Sequence, residues 1–193
     1  DLNLVHADGF DGLGKERASS RGEGVVLAVR DEVLVIIINF VASRGGGQSN
    51  HYKYLFDPAA NENAIHEDLY NYLVGILGDR AEYEVSHVGG GRVDIRLKFD
   101  KFALHIEMKV DSTHLPMEDR TAYLKQAATY QGNDIRIGFL VALRHKAFDP
   151  TGPPPHIKAL ITHTAFPIDG DPVPRHMLLV AIPGSRTIPS HSR

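Results

Sequence analysis

The chain has 193 residues, of which 42% are hydrophobic and 23% charged, and it contains no cysteine. This composition predicts a globular protein with a real core, and it excludes disulfides and thiolate metal sites. The sequence shows no leader and no apolar stretch of bilayer-spanning length, so we expect no membrane partner and a cytoplasmic location. Because the chain starts at Asp1 rather than at methionine, we also expect further domains of the same polypeptide upstream.

The N-terminal part predicts an appendage to the main domain. Residues 1–22 are rich in Gly, Asp and Ser and predict a loop, while residues 24–30 and 33–42 predict two strands of a β-hairpin. A glycine-rich break at residues 45–50 follows as the candidate boundary. The predicted division is therefore an appendage over residues 1–50 and a second domain over residues 51–193.

The second domain mixes helices and strands. Residues 59–77 predict a helix that ends before Gly78, because apolar residues recur there at helical spacing: Ile65, Leu69, Leu73 and Ile76. A second helix is predicted over residues 118–131. Strands are predicted over residues 81–87, 93–99, 102–110, 135–144, 157–165 and 177–182. This order predicts an α/β fold with a mixed β-sheet core flanked by helices.

Two successive runs, residues 93–99 and 102–110, alternate strictly between apolar and polar or small side chains. Period two over this length predicts two strands that each bury one face. Burying both apolar faces together fixes the register of the hairpin, in which Ile95 faces Ile106.

The same register places Asp94 directly opposite Glu107, with Cβ atoms about 4.5–5.5 Å apart. Two opposed carboxylates repel each other, and a hard divalent cation such as Mg²⁺ would remove that repulsion. Lys109 follows on the same face, where it can orient or activate a water or stabilise charge on a phosphate. The alternative is a solvated face on which Arg92 and Arg96 neutralise the acids.

Two motifs carry a resemblance to a known family: residues 91–94, with the sequence Gly-Arg-Val-Asp, and residues 107–109, with the sequence Glu-Met-Lys. They resemble the PD-(D/E)xK superfamily, the fold of many restriction enzymes and repair exonucleases, although Val93 stands where that family often has proline. The resemblance implies a restriction-endonuclease-like core of helix, three-stranded meander, helix and strand, an order that residues 59–144 match.

The resemblance also implies the roles of the site residues. Asp94 and Glu107 would bind Mg²⁺ or Mn²⁺, and the Met108 carbonyl is the candidate third ligand. Lys109 would position or activate the attacking water.

Two helices supply further candidates. Gln126 and Tyr130 are four residues apart, similar to the Gln-x-x-x-Tyr motif of the RecB and lambda-exonuclease branch, and could steady the site or a phosphate. Alternatively, Tyr130 is an ordinary half-buried tyrosine. Glu62 lies in the first turn of its predicted helix, on the inward side, and either complements the helix dipole or acts as a further metal ligand.

The predicted function is a metal-dependent nuclease that cleaves DNA, as the effector of a larger defence or repair protein. Residues 86–193 carry 14 Lys and Arg against 10 Asp and Glu, an excess of positive charge that favours a nucleic-acid partner. One alternative is a silent domain that binds nucleic acid or a protein partner without cleavage, and another is an RNA-cleaving relative. Cleavage of both strands would suggest a homodimer.

Overall fold

The computed structural model describes residues 20–45, 51–88, 91–131, 135–150 and 152–187. The chain forms two compact units, Asp1–Val35 and Ile36–Arg193. Among the described residues, no helix combines the length and the apolar character that a membrane span requires.

The first element is a continuous helix, α1, over Ser20–Gly45. The predicted hairpin over residues 24–30 and 33–42 is therefore wrong. Within the second unit, the buried residues of α1 recur at helical spacing, namely Ile36, Ile37, Phe40, Val41 and Arg44. The apolar run at residues 33–38 hides this period because all six of its residues are apolar, and its β-branched residues favour a strand locally.

The predicted domain boundary near residue 50 stays a prediction. Residues 46–50, like most of the predicted loop over residues 1–22, lie outside the described residues. The division between the two compact units falls between Val35 and Ile36, inside α1.

Helix α2 spans Glu62–Leu77 and confirms the predicted helix over residues 59–77 with a later start. Asn61 caps its first turn through its side chain, and Gly78 ends it with a φ of 60°, which few residues other than glycine adopt easily. Ile76 is 52% exposed, so its predicted place on the buried stripe is wrong. The other three residues of that stripe are fully buried: Ile65, Leu69 and Leu73.

In the part of the chain that the structure describes, six strands form one sheet in the order β1-β2-β3-β4-β6-β5. They are β1 Ala81–Val88, β2 Gly91–Phe99, β3 Phe102–Asp111, β4 Ile137–Arg144, β5 Ile161–Phe166 and β6 Arg175–Pro183. Strands β1 to β3 form an antiparallel meander, β3, β4 and β6 are parallel, and β5 is antiparallel to β6. This mixed sheet bears out the predicted α/β class.

The crossover between β3 and β4 contains helix α3, Thr121–Thr129, preceded by a 3-10 helix at Met117–Asp119. The predicted helix over residues 118–131 is thus shorter than expected. Likewise, the predicted strand over residues 157–165 starts with a 3-10 helix, Ile157–Leu160, before β5 begins.

Helices lie on both faces of the sheet. Tyr83 pairs with Ile95 in the β1–β2 ladder, and its ring stacks on His66 of α2, with ring centroids 4.2 Å apart. Helix α2 therefore covers the apolar face of the meander. On the other face, the main chain of Tyr130, at the end of α3, hydrogen bonds with His105 of β3. The predicted flanking of the sheet by helices is confirmed.

Candidate active site

The hairpin of β2 and β3 keeps the predicted register, in which Ile95 pairs with Ile106, and this pair is the last of the β2–β3 ladder. Beyond it, Asp94 and Glu107 do not form a pair of the ladder. The main-chain amide of Met108 instead donates a hydrogen bond to Asp94 Oδ2 at 2.7 Å. The Asp94 carboxylate thus accepts the hydrogen bond of the Met108 amide at the point where the ladder ends. This bond holds the Asp94 side chain beside the Glu-Met-Lys motif.

Glu107 is a buried carboxylate with one oxygen unpaired. Only 2% of the residue is exposed, and Oε2 has no hydrogen-bond partner among the described residues. Burial, helped by the charge of Asp94, raises the pKa of Glu107 to about 7 against the opposing effect of Lys109. A buried, unpaired carboxylate oxygen calls for a proton or a cation.

Lys109 places its ammonium among three oxygen atoms. Nζ donates to Glu107 Oε1 at 2.6 Å and to the Met108 carbonyl at 2.8 Å, and it lies 3.7 Å from Glu62 Oε1. Burial lowers the pKa of Lys109, but the hydrogen bond and the charge of Glu107, helped by Glu62 and Asp94, raise it by more. Lys109 therefore remains a charged ammonium at neutral pH.

Glu62 is the first residue of α2, directly after the cap Asn61, and its side chain is 40% exposed. A negative charge is favoured at this end of a helix. Glu62 forms an ion pair with Lys109, and this contact connects Glu62 with the site.

His66 belongs to the site, although the sequence analysis did not single it out. Its Nε2 lies 2.9 Å from the main-chain carbonyl of Asp94, and the residue is only 3% exposed. Since a carbonyl can only accept, the ring carries its proton on Nε2 and donates. His66 thus holds the main chain at Asp94. The available signal was its spacing of four residues after Glu62, which places both on one side of α2.

Gln126 and Tyr130 share a helix face, as predicted, and Gln126 Nε2 donates to the Tyr130 hydroxyl at the long distance of 3.5 Å. Among the described residues, no hydrogen bond or ion pair joins either of them to Asp94, Glu107 or Lys109. Their predicted part in the site stays a prediction.

A buried ion pair lies just past the site at the end of β3. Asp111 Oδ2 is 2.9 Å from Arg144 Nε, and Asp111 Oδ1 is 3.5 Å from Arg120 Nη2. Asp111 and Arg144 are 2% and 4% exposed. This ion pair ties β3 to β4 and to the start of α3, and the sequence offered no signal for it.

The oxygen atoms at the site suit a hard divalent cation. Within the described residues, no three or more imidazole, thiol or carboxylate groups converge in a way that could hold a metal ion. Mg²⁺, however, often uses only one or two carboxylates and takes its remaining ligands from water and substrate. Asp94, Glu107 and the Met108 carbonyl meet that need, and the unpaired Oε2 of Glu107 is the atom that fits it best.

Comparisons of the chain with protein-family models, with curated proteins and with solved structures found no match. The resemblance to the PD-(D/E)xK superfamily therefore stays a prediction from the two sequence motifs.

Proposed function

We propose that the protein is a divalent-metal-dependent nuclease that hydrolyses phosphodiester bonds in DNA. One observation carries the proposal: Asp94, the buried Glu107 and the charged Lys109 meet where the β2–β3 ladder ends. The Met108 amide connects them, because it is bound to Asp94 and lies between the other two residues in the chain.

The order of the elements supports a restriction-endonuclease-like core as the finer fold. Helix α2, the meander β1 to β3, helix α3 and strand β4 follow one another in the order that the resemblance implies. The two motifs lie on β2 and β3. A fold hosts many functions, however, so the proposal depends on the site.

Asp94, Glu107 and the Met108 carbonyl are the groups that would hold Mg²⁺ or Mn²⁺. Such an ion would supply positive charge to the scissile phosphate and lower the pKa of a bound water. His66 keeps Asp94 in place through its carbonyl. The raised pKa of Lys109 favours a charged lysine that stabilises negative charge on the phosphate over a neutral lysine that removes a proton from water.

DNA is the proposed substrate, with RNA as the alternative outcome of the test. Arg92, two residues before Asp94, is exposed and pairs with Glu84, so it lies at the surface near the site. Phosphate binding commonly uses such arginines. A role in defence or repair, a homodimer and a cytoplasmic location stay predictions.

The test is cleavage of end-labelled single- and double-stranded DNA and RNA in Mg²⁺, Mn²⁺ or EDTA. The wild type is compared with Lys109→Ala and with a matched control, Lys98→Ala, which removes a half-exposed lysine of β2 that pairs with Glu82. We expect metal-dependent products that are lost in Lys109→Ala and kept in Lys98→Ala. Folded wild-type protein that makes no product from any substrate would contradict the proposal.

A second candidate function is a silent domain that binds nucleic acid without cleavage. The specific observation in its favour is that the Lys109 ammonium already hydrogen bonds with both Glu107 Oε1 and the Met108 carbonyl. The negative charge of Glu107 is thus partly neutralised by Lys109. Fluorescence anisotropy with labelled DNA separates the two functions, since the silent domain would bind tightly and leave the DNA intact in Mg²⁺ and Mn²⁺.

A further inference from the structure

The Lys109 ammonium occupies the position that the proposed function gives to a cation. Two of its three oxygen contacts, Glu107 Oε1 at 2.6 Å and the Met108 carbonyl at 2.8 Å, are to groups that would bind the metal. A divalent cation bound to Glu107 Oε2 and to the Met108 carbonyl would lie close to this ammonium, and their charges repel. Binding of the cation therefore favours a movement of Lys109 away from Glu107.

Glu62 offers the nearest new partner for the displaced lysine. Its Oε1 is 3.7 Å from Lys109 Nζ, which is an ion-pair distance but longer than a hydrogen bond. A small movement of the lysine away from Glu107 and towards Glu62 would form that hydrogen bond. The side chain of Glu62 is 40% exposed, whereas that of Glu107 is 1% exposed, so Glu62 can follow the ammonium more freely.

We propose that Glu62 is a positioning residue that receives Lys109 when a divalent cation binds, and that it is not itself a ligand of the cation. This inference rests on the proposed function, since it takes Glu107 and the Met108 carbonyl as cation ligands. Glu62 then keeps the displaced ammonium beside the phosphate, where its positive charge is needed.

A double-mutant cycle distinguishes the two roles of Glu62, because a residue that acts only through Lys109 has no effect once Lys109 is absent. Calorimetric titration with Mn²⁺ is applied to the wild type, Glu62→Gln, Lys109→Met and the double variant. Methionine keeps much of the apolar stem of Lys109 without its charge. Glu67→Gln is the matched control, since it removes an exposed carboxylate from the same helix.

We expect Lys109→Met to bind Mn²⁺ about tenfold more tightly than the wild type, because the competing ammonium is gone. Glu62→Gln should weaken binding about threefold in the wild type, as expected for the loss of one half-exposed ion pair, and should change nothing in the Lys109→Met background. Glu67→Gln should match the wild type.

Two other outcomes overturn the inference and are distinguishable. If Glu62→Gln weakens Mn²⁺ binding equally in both backgrounds, Glu62 is a cation ligand, and the inference fails while the proposed function stands. If folded wild type and Lys109→Met both fail to bind Mn²⁺, the cation site itself is absent, and the proposed function fails with it. Circular dichroism of each variant shows whether it is folded.

Discussion

The β2–β3 hairpin and helix α1 use their polar groups in different ways. In the hairpin, alternate side chains enter the core, and the opposite face is left for residues such as Glu107 and Lys109. In α1, the buried side includes the arginine Arg44, whose guanidinium binds Asp68 at 2.5 and 2.9 Å. The hairpin thus carries its charged groups on the face opposite its apolar side chains, whereas α1 includes a charged group among its buried residues.

The end of α1 shows what a satisfied polar cluster looks like. The Arg44 guanidinium lies 4.2 Å from the Phe40 ring centre and 5.1 Å from that of Tyr72. Arg186 donates to the carbonyls of Arg44 and Gly45 at 2.8 and 2.6 Å, which caps the helix with a positive charge. Such pairing contrasts with the unpaired Oε2 of Glu107.

The largest effect is expected at Asp94. Asp94→Asn keeps an oxygen acceptor for the Met108 amide but removes the charge that a cation needs. We expect kcat/KM for the cleaved substrate to fall by about 10²- to 10³-fold, with the free energy of unfolding changed by less than about 1 kcal/mol. Steady-state cleavage and urea unfolding measure the two quantities. A large loss of stability with full specific activity would make Asp94 structural.

The next effect tests the helical nature of α1. Val35 and Ile37 would share a face in a strand, but they lie on different sides of a helix, and they are 43% and 0% exposed. Ile37→Ala should lower the free energy of unfolding by about 2–5 kcal/mol, and Val35→Ala by less than about 0.5 kcal/mol. Urea unfolding of both variants measures this. Equal losses would contradict the helix.

A smaller effect depends on pH at Glu107. Its pKa of about 7 exceeds the ordinary value of 4.5, so from pH 4.5 to 7 the folded state holds a proton that the unfolded chain has released. The stability of the wild type therefore falls as pH rises through this window and then levels off. Relative to Glu107→Gln, which does not titrate, the wild type should lose about 1–3 kcal/mol between pH 5 and pH 7.5.

Urea unfolding of both proteins across this pH series measures that difference. The free energy of unfolding of the wild type, minus that of Glu107→Gln, should fall as the pH rises. If this difference stays constant or increases with pH, burial does not hold the Glu107 carboxyl in its protonated form.

The smallest effect is expected on the charged face of the hairpin. Lys98 Nζ lies 3.0 Å from Glu82 Oε1, and the two side chains are 43% and 33% exposed. An exposed pair contributes little, so Lys98→Ala should change the free energy of unfolding by less than about 1 kcal/mol and leave cleavage unchanged. A loss of activity in this variant would instead place Lys98 on the path of the substrate.

Two apolar runs show the limit of prediction from sequence. The run at residues 33–38 forms part of α1, whereas strand β4, Ile137–Arg144, is an apolar run buried at every position. Neither run shows a clear period, because both are apolar almost throughout. The strand was predicted and the helix was not, and the local sequence does not distinguish them.

Within the site, the sequence predicted the motif residues but not all their contacts. Alternation placed Glu107 and Lys109 on one face, and the structure brings them together. The contact of His66 with the Asp94 carbonyl joins residues 28 positions apart in the chain. No local pattern reports such a contact.

Alternation over β2 and β3, together with the short connection at Asp100-Lys101, determined the hairpin and its register from the sequence alone, because a shift by one residue would expose the apolar faces. Tertiary structure alone decided that the ladder ends before Asp94, that α1 is a helix, and that the Lys109 ammonium lies between Glu107 and Glu62. These outcomes depend on burial and charge contributed by residues that are distant in the chain, so a local sequence pattern does not predict them.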